Sequence, residues 1–167
     1  MATTKAAPGK KGLINFDFLQ KLGKVLMTVI AVMPAAGLMI SLGKLVQMGG
    51  GDIAAVMTIG TTMENIGWAV INNLHILFAV AIGGWAKERA GGAFAAVLAF
   101  ALINVITGNI FGVTSAMLED PNAVTHTLFG QEIAVNGYFT SVLGAPALNM
   151  GVFVGIIAGF VGGVAYN

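Results

Sequence analysis

Few side chains in this sequence can do chemistry, and most of those that can sit inside apolar stretches. Asn72, Asn73 and His75 fall in one uncharged run, and Asn104 and Asn109 in another. Amide and imidazole groups placed at depth among apolar residues must face protein or water. Two roles are open to them: hydrogen bonds to neighbouring helices, or the lining of a polar pathway. The candidates for the second role are Asn72, Asn73, His75 and Asn104. His75 has no carboxylate or second histidine near it in the sequence, so neither a metal site nor a proton relay is supported. His126 lies in a separate, polar stretch and reads as solvated. The chain has no cysteine, which excludes disulfides, thiolate nucleophiles and cysteine metal sites. No phosphate-binding loop, nucleophile elbow or paired carboxylates occur, so no catalytic residue, cofactor or metal is expected.

The elements that must hold these residues follow from the charge pattern. Only 9% of the 167 residues are charged, 8 basic and 7 acidic, against about 25% in a typical soluble domain. The hydrophobic fraction is 57% and the mean hydropathy is +0.88. A disordered chain needs the opposite composition. A net charge of +1 offers no field for phosphates, so nucleic acid is excluded as a partner. A membrane protein remains. Uncharged runs cover residues 25–43, 65–86, 90–118 and 133–167. A helix needs about 20 residues to cross a hydrocarbon core of about 30 Å. The expected fold class is therefore all-α: a polytopic membrane helix bundle of about four transmembrane helices plus short interfacial helices. The spans are read at about 25–43, 66–84, 91–110 and 148–166. A cleaved signal peptide is disfavoured, because the first apolar run is long, contains Pro34 and follows an amphipathic stretch at 13–22.

Topology follows from the basic residues. Lys5, Lys10, Lys11, Lys21 and Lys24 cluster near the N-terminus, Lys87 and Arg89 share one loop, and Lys44 stands alone. With residues 1–24 as a cytoplasmic basic and amphipathic segment, seven of the eight basic residues fall inside. The 111–147 segment, with Glu119, Asp120 and Glu132 and no basic residue, then lies outside, as does a 44–64 connection with a short interfacial helix at 53–59. In the last span Gly151, Gly155, Gly159 and Gly163 recur every fourth residue, a stripe that lets another backbone approach closely. Gly91, Gly92, Ala93, Ala95, Ala96 and Ala99 form a similar seam. Pro34 predicts a kink in the first span.

Longer motifs go further. Lys21-Leu22-Gly23-Lys24-Val25-Leu26-Met27 followed by Met33-Pro34-Ala35-Ala36-Gly37-Leu38 resembles the opening of the membrane subunit, enzyme IIC, of bacterial phosphotransferase-system sugar permeases of the glucose superfamily. Ala145-Pro146-Ala147-Leu148-Asn149-Met150-Gly151-Val152 is similar to another stretch of that family. Asn73-Leu74-His75-Ile76-Leu77-Phe78-Ala79, with Trp85-Ala86-Lys87-Glu88-Arg89-Ala90-Gly91-Gly92-Ala93-Phe94, resembles the Gram-positive glucose type. The resemblance covers the chain from about Phe18 onward. It implies a multi-pass protein of the bacterial plasma membrane that translocates glucose or a close relative by alternating access. It also implies phosphorylation of the sugar by a phosphocysteine on EIIB, supplied through EIIA and the phosphocarrier protein, and a homodimeric assembly. Residues 25–167 then correspond to the N-terminal, scaffold part of an EIIC domain, and the remaining half of EIIC, with its main sugar-contacting residues, has no counterpart here. The chain is accordingly expected to be truncated, with phosphotransferase activity a property of the complete permease. The alternative is a small self-assembling membrane channel or structural membrane subunit, built on the glycine stripe.

Overall fold

Backbone amides in lipid must be satisfied within their own segment, and the uncharged runs form helices accordingly. The computed structural model describes residues 16–167; Lys5, Lys10, Lys11 and residues 13–15 of the amphipathic stretch lie outside them. Helices α1 (Phe16–Ile30) and α2 (Val32–Gly49) are separated only by Ala31 and give an apolar rod over Leu19–Gly49. Pro34 lies in the first turn of α2, where a missing N–H removes no bond within that helix. Helices α3 (Ala54–Asn72) and α4 (Leu74–Gly83) meet at Asn73 with a bend of 51°. The 22 residues of α5 (Arg89–Ile110) rise about 33 Å. A mixed segment follows: α6 (Ser115–Glu119), β1 (Val124–His126), β2 (Glu132–Ala134), the single turn α7 (Val135–Tyr138), β3 (Phe139–Val142) and β4 (Ala145–Leu148). It leads into α8 (Val152–Ala165).

The polytopic helix bundle expected from the sequence is present, with its spans redrawn. Among the described residues, two helical stretches, Leu19–Gly49 and α5, are long and apolar enough to cross a membrane, or three if bent α3–α4 is one span. The first span starts well before residue 25, because Lys21 and Lys24 are carried on the surface of α1. The connection placed at 44–64 shrinks to a turn between α2 and α3. The polar residues that suggested a loop are matched across this helical hairpin: Lys44 Nζ lies 3.5 Å from Glu64 Oε1, and Gln47 Nε2 donates to Glu64 Oε2 at 2.9 Å. Residues 53–59 accordingly open a 19-residue helix, not a short interfacial one. The last span, placed at 148–166, loses its first turn. Leu148 is paired in β4, and Gly151 takes φ +56° at the head of α8. The remaining 14 residues rise about 21 Å, short of the hydrocarbon thickness.

Small residues decide the packing. A side chain at Gly43 would meet the backbone of Gly60 and Glu64 at 2.6 Å, and one at Gly67 the Ala36 carbonyl at 2.6 Å, so α2 and α3 touch backbone to backbone. Helix α8 lies parallel to α4 and antiparallel to α5. Gly155 abuts the His75 carbonyl, Gly159 abuts Ala79 and Ile82, and Gly162 abuts Ala96. Around this three-helix unit, Ala79, Phe100, Val154 and Ala158 form one core cluster. Val29 of α1 joins Phe78 and Ile82 in a second. A third, of Val113, Val135 and Phe139, holds the mixed segment together.

Candidate functional site

The bend at Asn73 is where the polar residues of the apolar runs gather. Asn73 N–H still reaches the Ala69 carbonyl, and its side-chain Nδ2 donates to the same oxygen at 2.8 Å. The side chain thus supplies a second donor to a carbonyl at the helix end. Opposite the bend stands the β3–β4 ribbon, with Phe139 paired to Leu148 and Val142 to Ala145. Its two-residue turn, Leu143-Gly144, has φ of +52° and +80°, the positive pair that a type I′ hairpin needs. Val142 packs on the core cluster of Phe100, midway along α5. The ribbon therefore reaches the depth of mid-helix. Non-helical backbone is tolerated there where it is buried in protein or lines a cavity.

Between bend and ribbon lies a cleft of about 620 Å³. Its polar lining is Asn72, Asn73, His75, Thr140, Ser141 and Asn149. A recess of about 30 Å³ adjoins it, bounded by His75, Asn104, Thr140 and Asn149 among others. Three of the four sequence candidates line the cleft, and the fourth, Asn104, lines the recess. The His75 ring stacks on Phe100 with centroids 5.1 Å apart. Asn104 is 2% exposed and donates from Nδ2 to the Phe100 carbonyl at 3.0 Å. His75 Nε2 and Asn104 Oδ1 are both buried and unpartnered. Buried polar atoms are ordinarily satisfied, and a recess of this size holds a water or a ligand hydroxyl. The cleft as a whole presents amides, hydroxyls and one imidazole, with no described carboxylate or cation in its lining. That set suits a neutral, polyhydroxylated ligand. Among the described residues, no group of three or more His, Cys, Asp or Glu could hold a metal ion.

The remaining candidates serve packing. Gly155 and Gly159 hold α8 against α4, and Gly163 faces the Trp85 ring. Gly151 is a correction to the stripe: it precedes α8, nothing lies within 4 Å of where its side chain would be, and its wall borders the cleft. Its N–H bonds to Asn149 Oδ1 at 3.3 Å.

Residues 23–167 match the family described as Phosphotransferase system, EIIC. The chain belongs to that family. Over 158 residues this EIIC chain is 65% identical to the PTS system glucose-specific EIICBA component of Streptococcus pneumoniae serotype 4, which covers 94% of the chain. It is 34% identical over 162 residues, 91% of the chain, to the protein of the same name from Staphylococcus carnosus. It spans 22% of the length of each relative.

In this EIIC chain Thr140, Ser141 and Asn149 line the cleft without standing out in the sequence. All three fall in the long uncharged run at 133–167, where hydroxyls and amides look like ordinary loop or helix surface. The available signal was slight: Phe139-Thr140-Ser141-Val142 holds strand formers, and Gly144 can take the positive φ of a turn.

Proposed function

We propose that this chain is part of the membrane component of a phosphoenolpyruvate-dependent sugar phosphotransferase system, and that it takes part in carrying glucose or a close relative across the bacterial plasma membrane with coupled phosphorylation. The observation that carries this reading is the 65% identity, over 94% of the chain, to a protein named as glucose-specific. The cleft supports it. Neutral hydroxyl-binding groups line it, and the buried Nε2 of His75 and Oδ1 of Asn104 await partners. In this reading Asn72, Asn73, His75 and Asn104, joined by Thr140, Ser141 and Asn149, form one wall of the sugar pathway. The glycine-packed α4–α5–α8 unit is the scaffold that keeps the wall in place.

The partners are the rest of an EIIC domain, EIIB and EIIA, the phosphocarrier protein and a second copy of the chain. Support for the EIIB and EIIA domains comes from the relatives, which are named EIICBA. The chain has no cysteine, so a phosphocysteine would belong to EIIB. The N-terminus is cytoplasmic in this reading, supported by the clustering of basic residues at one end of the bundle.

The test is a chimera. This chain replaces the corresponding segment of the Streptococcus pneumoniae relative, in cells lacking other glucose permeases. The expected result is glucose 6-phosphate formed from external glucose at the expense of phosphoenolpyruvate. Accumulation of unphosphorylated sugar driven by an ion gradient would sink the reading.

A further inference from the structure

About 15 Å along α4 from the polar cleft (its 10 residues at 1.5 Å each) lies a second cleft, of about 780 Å³. Lys21 and Lys24 of α1, Lys87 of the α4–α5 turn and Arg89, the first residue of α5, all line it. Among the described residues, no acidic side chain lines it. The one ion pair among the described residues is elsewhere, between Lys44 and Glu64. Four cations drawn from two distant parts of the sequence repel one another unless an anion lies between them. The N-terminus of α5 adds to the same field: no side chain caps its first amides, which carry a partial positive charge.

The walls between these charges are mainly apolar. Val25, Gly84 and Ala86 line the cleft, half-buried Trp85 is part of it, and one polar residue, Asn167, closes it, its Oδ1 accepting from the Lys87 N–H at 3.2 Å. Just along the helices, Met27 of α1 and Phe94 of α5 are 74% and 70% exposed. Both helices belong to candidate membrane spans, and tryptophan favours the level where headgroups meet hydrocarbon. We propose that this cleft binds the phosphate headgroup of an anionic phospholipid. Its acyl chains run down the apolar surfaces of α1 and α5. Basic pockets of this kind at the ends of membrane helices are suited to such headgroups. A soluble acidic protein would meet the charges but leave the apolar surface below them unused, so the lipid is the favoured occupant.

The test uses the full chain in neutral detergent, with bound lipid counted by native mass spectrometry. Phosphatidylglycerol and phosphatidylcholine of matched chains are compared. Phosphatidylglycerol is expected to bind at least about tenfold more tightly. The K87Q/R89Q variant should weaken its binding about 30-fold, at two charges removed. K87R/R89K should retain it, as should K44Q, which removes a cation outside the cleft. If K87Q/R89Q does not fold, K21Q/K24Q on exposed α1 positions should show the same loss. Equal binding of the two lipids, or an equal loss in K44Q, would overturn the proposal. Displacement of phosphatidylglycerol by inorganic phosphate at equal concentration would overturn it in favour of a free-anion site. Displacement by poly-glutamate, but not by potassium chloride of the same ionic strength, would overturn it in favour of an acidic polypeptide.

Discussion

Asn104 shows how a residue can keep a polar atom open to a ligand at little cost to the fold. Its Nδ2 bonds to the carbonyl four residues earlier, an oxygen that the helix already uses, while Oδ1 is buried with no partner. Replacing such a half-satisfied group by an apolar side chain of similar shape is close to neutral for stability. We expect Asn104→Leu to leave the thermal midpoint in detergent unchanged or slightly raised. In the chimera it should lower glucose phosphorylation about tenfold, the worth of one hydrogen bond to the passing sugar. A fall in midpoint together with full activity would make Asn104 a structural residue. Leu143 is the opposite kind of residue. It holds φ at +52°, a region that costs an ordinary side chain roughly 1–2 kcal/mol, and its side chain is 65% exposed. Asparagine tolerates this conformation, so Leu143→Asn should stabilise the ribbon by about 1 kcal/mol, read as a raised unfolding midpoint.

The α2–α3 hairpin depends on backbone contact between its helices. A side chain at Gly60 would meet the Gly43 carbonyl at 2.7 Å and the Gln47 side chain at 2.7 Å, whereas at Gly37, on the same hairpin, nothing lies within 4 Å. Gly60→Leu should therefore destabilise the fold by about 2 kcal/mol or more through overpacking. Gly37→Ala should leave it unchanged or slightly firmer, because alanine restrains a helix better than glycine. Thermal unfolding of the pair in one detergent separates seam from surface. The same elements show what can be read from a sequence of this kind. Helix α5 was legible, because a long uncharged run between Arg89 and the acidic segment has one solution in a membrane. The α2–α3 hairpin was not, because Lys44, Gln47 and Glu64 look like loop residues until their pairing across two helices is known. The β3–β4 ribbon was hidden for a different reason. Ala145–Leu148 is as apolar as α8, and hydropathy does not distinguish a buried strand from the first turn of a helix. Asn72, Asn73, His75 and Asn104 could be picked out as polar groups in apolar runs. Their convergence could not, because it depends on the bend at Asn73 and on the ribbon that faces it.

At the scale of the whole molecule, the charges divide the two ends of the bundle. Of the five cations in the described residues, Lys21, Lys24, Lys87 and Arg89 line one cleft at the start of α5. Some 33 Å away along that helix, past Ile110, the segment carries Glu119, Asp120 and Glu132 and no cation. Basic residues are retained on the cytoplasmic side during insertion, so in the orientation we propose the cation-rich end faces the cytoplasm and the mixed segment faces outward. The chain has no cysteine, so one introduced thiol is the only one in it. Glu88 and Glu119 are both exposed, one at each end. In intact cells a membrane-impermeant maleimide should label Glu119→Cys and spare Glu88→Cys until the membrane is permeabilised. The reverse pattern would invert the protein. It would also place the basic cleft in the outer leaflet and the mixed segment on the cytoplasmic side. Because the two sites lie at opposite ends of one continuous helix, a single orientation must account for both labels, and labelling of both in intact cells would mean that α5 does not span the membrane.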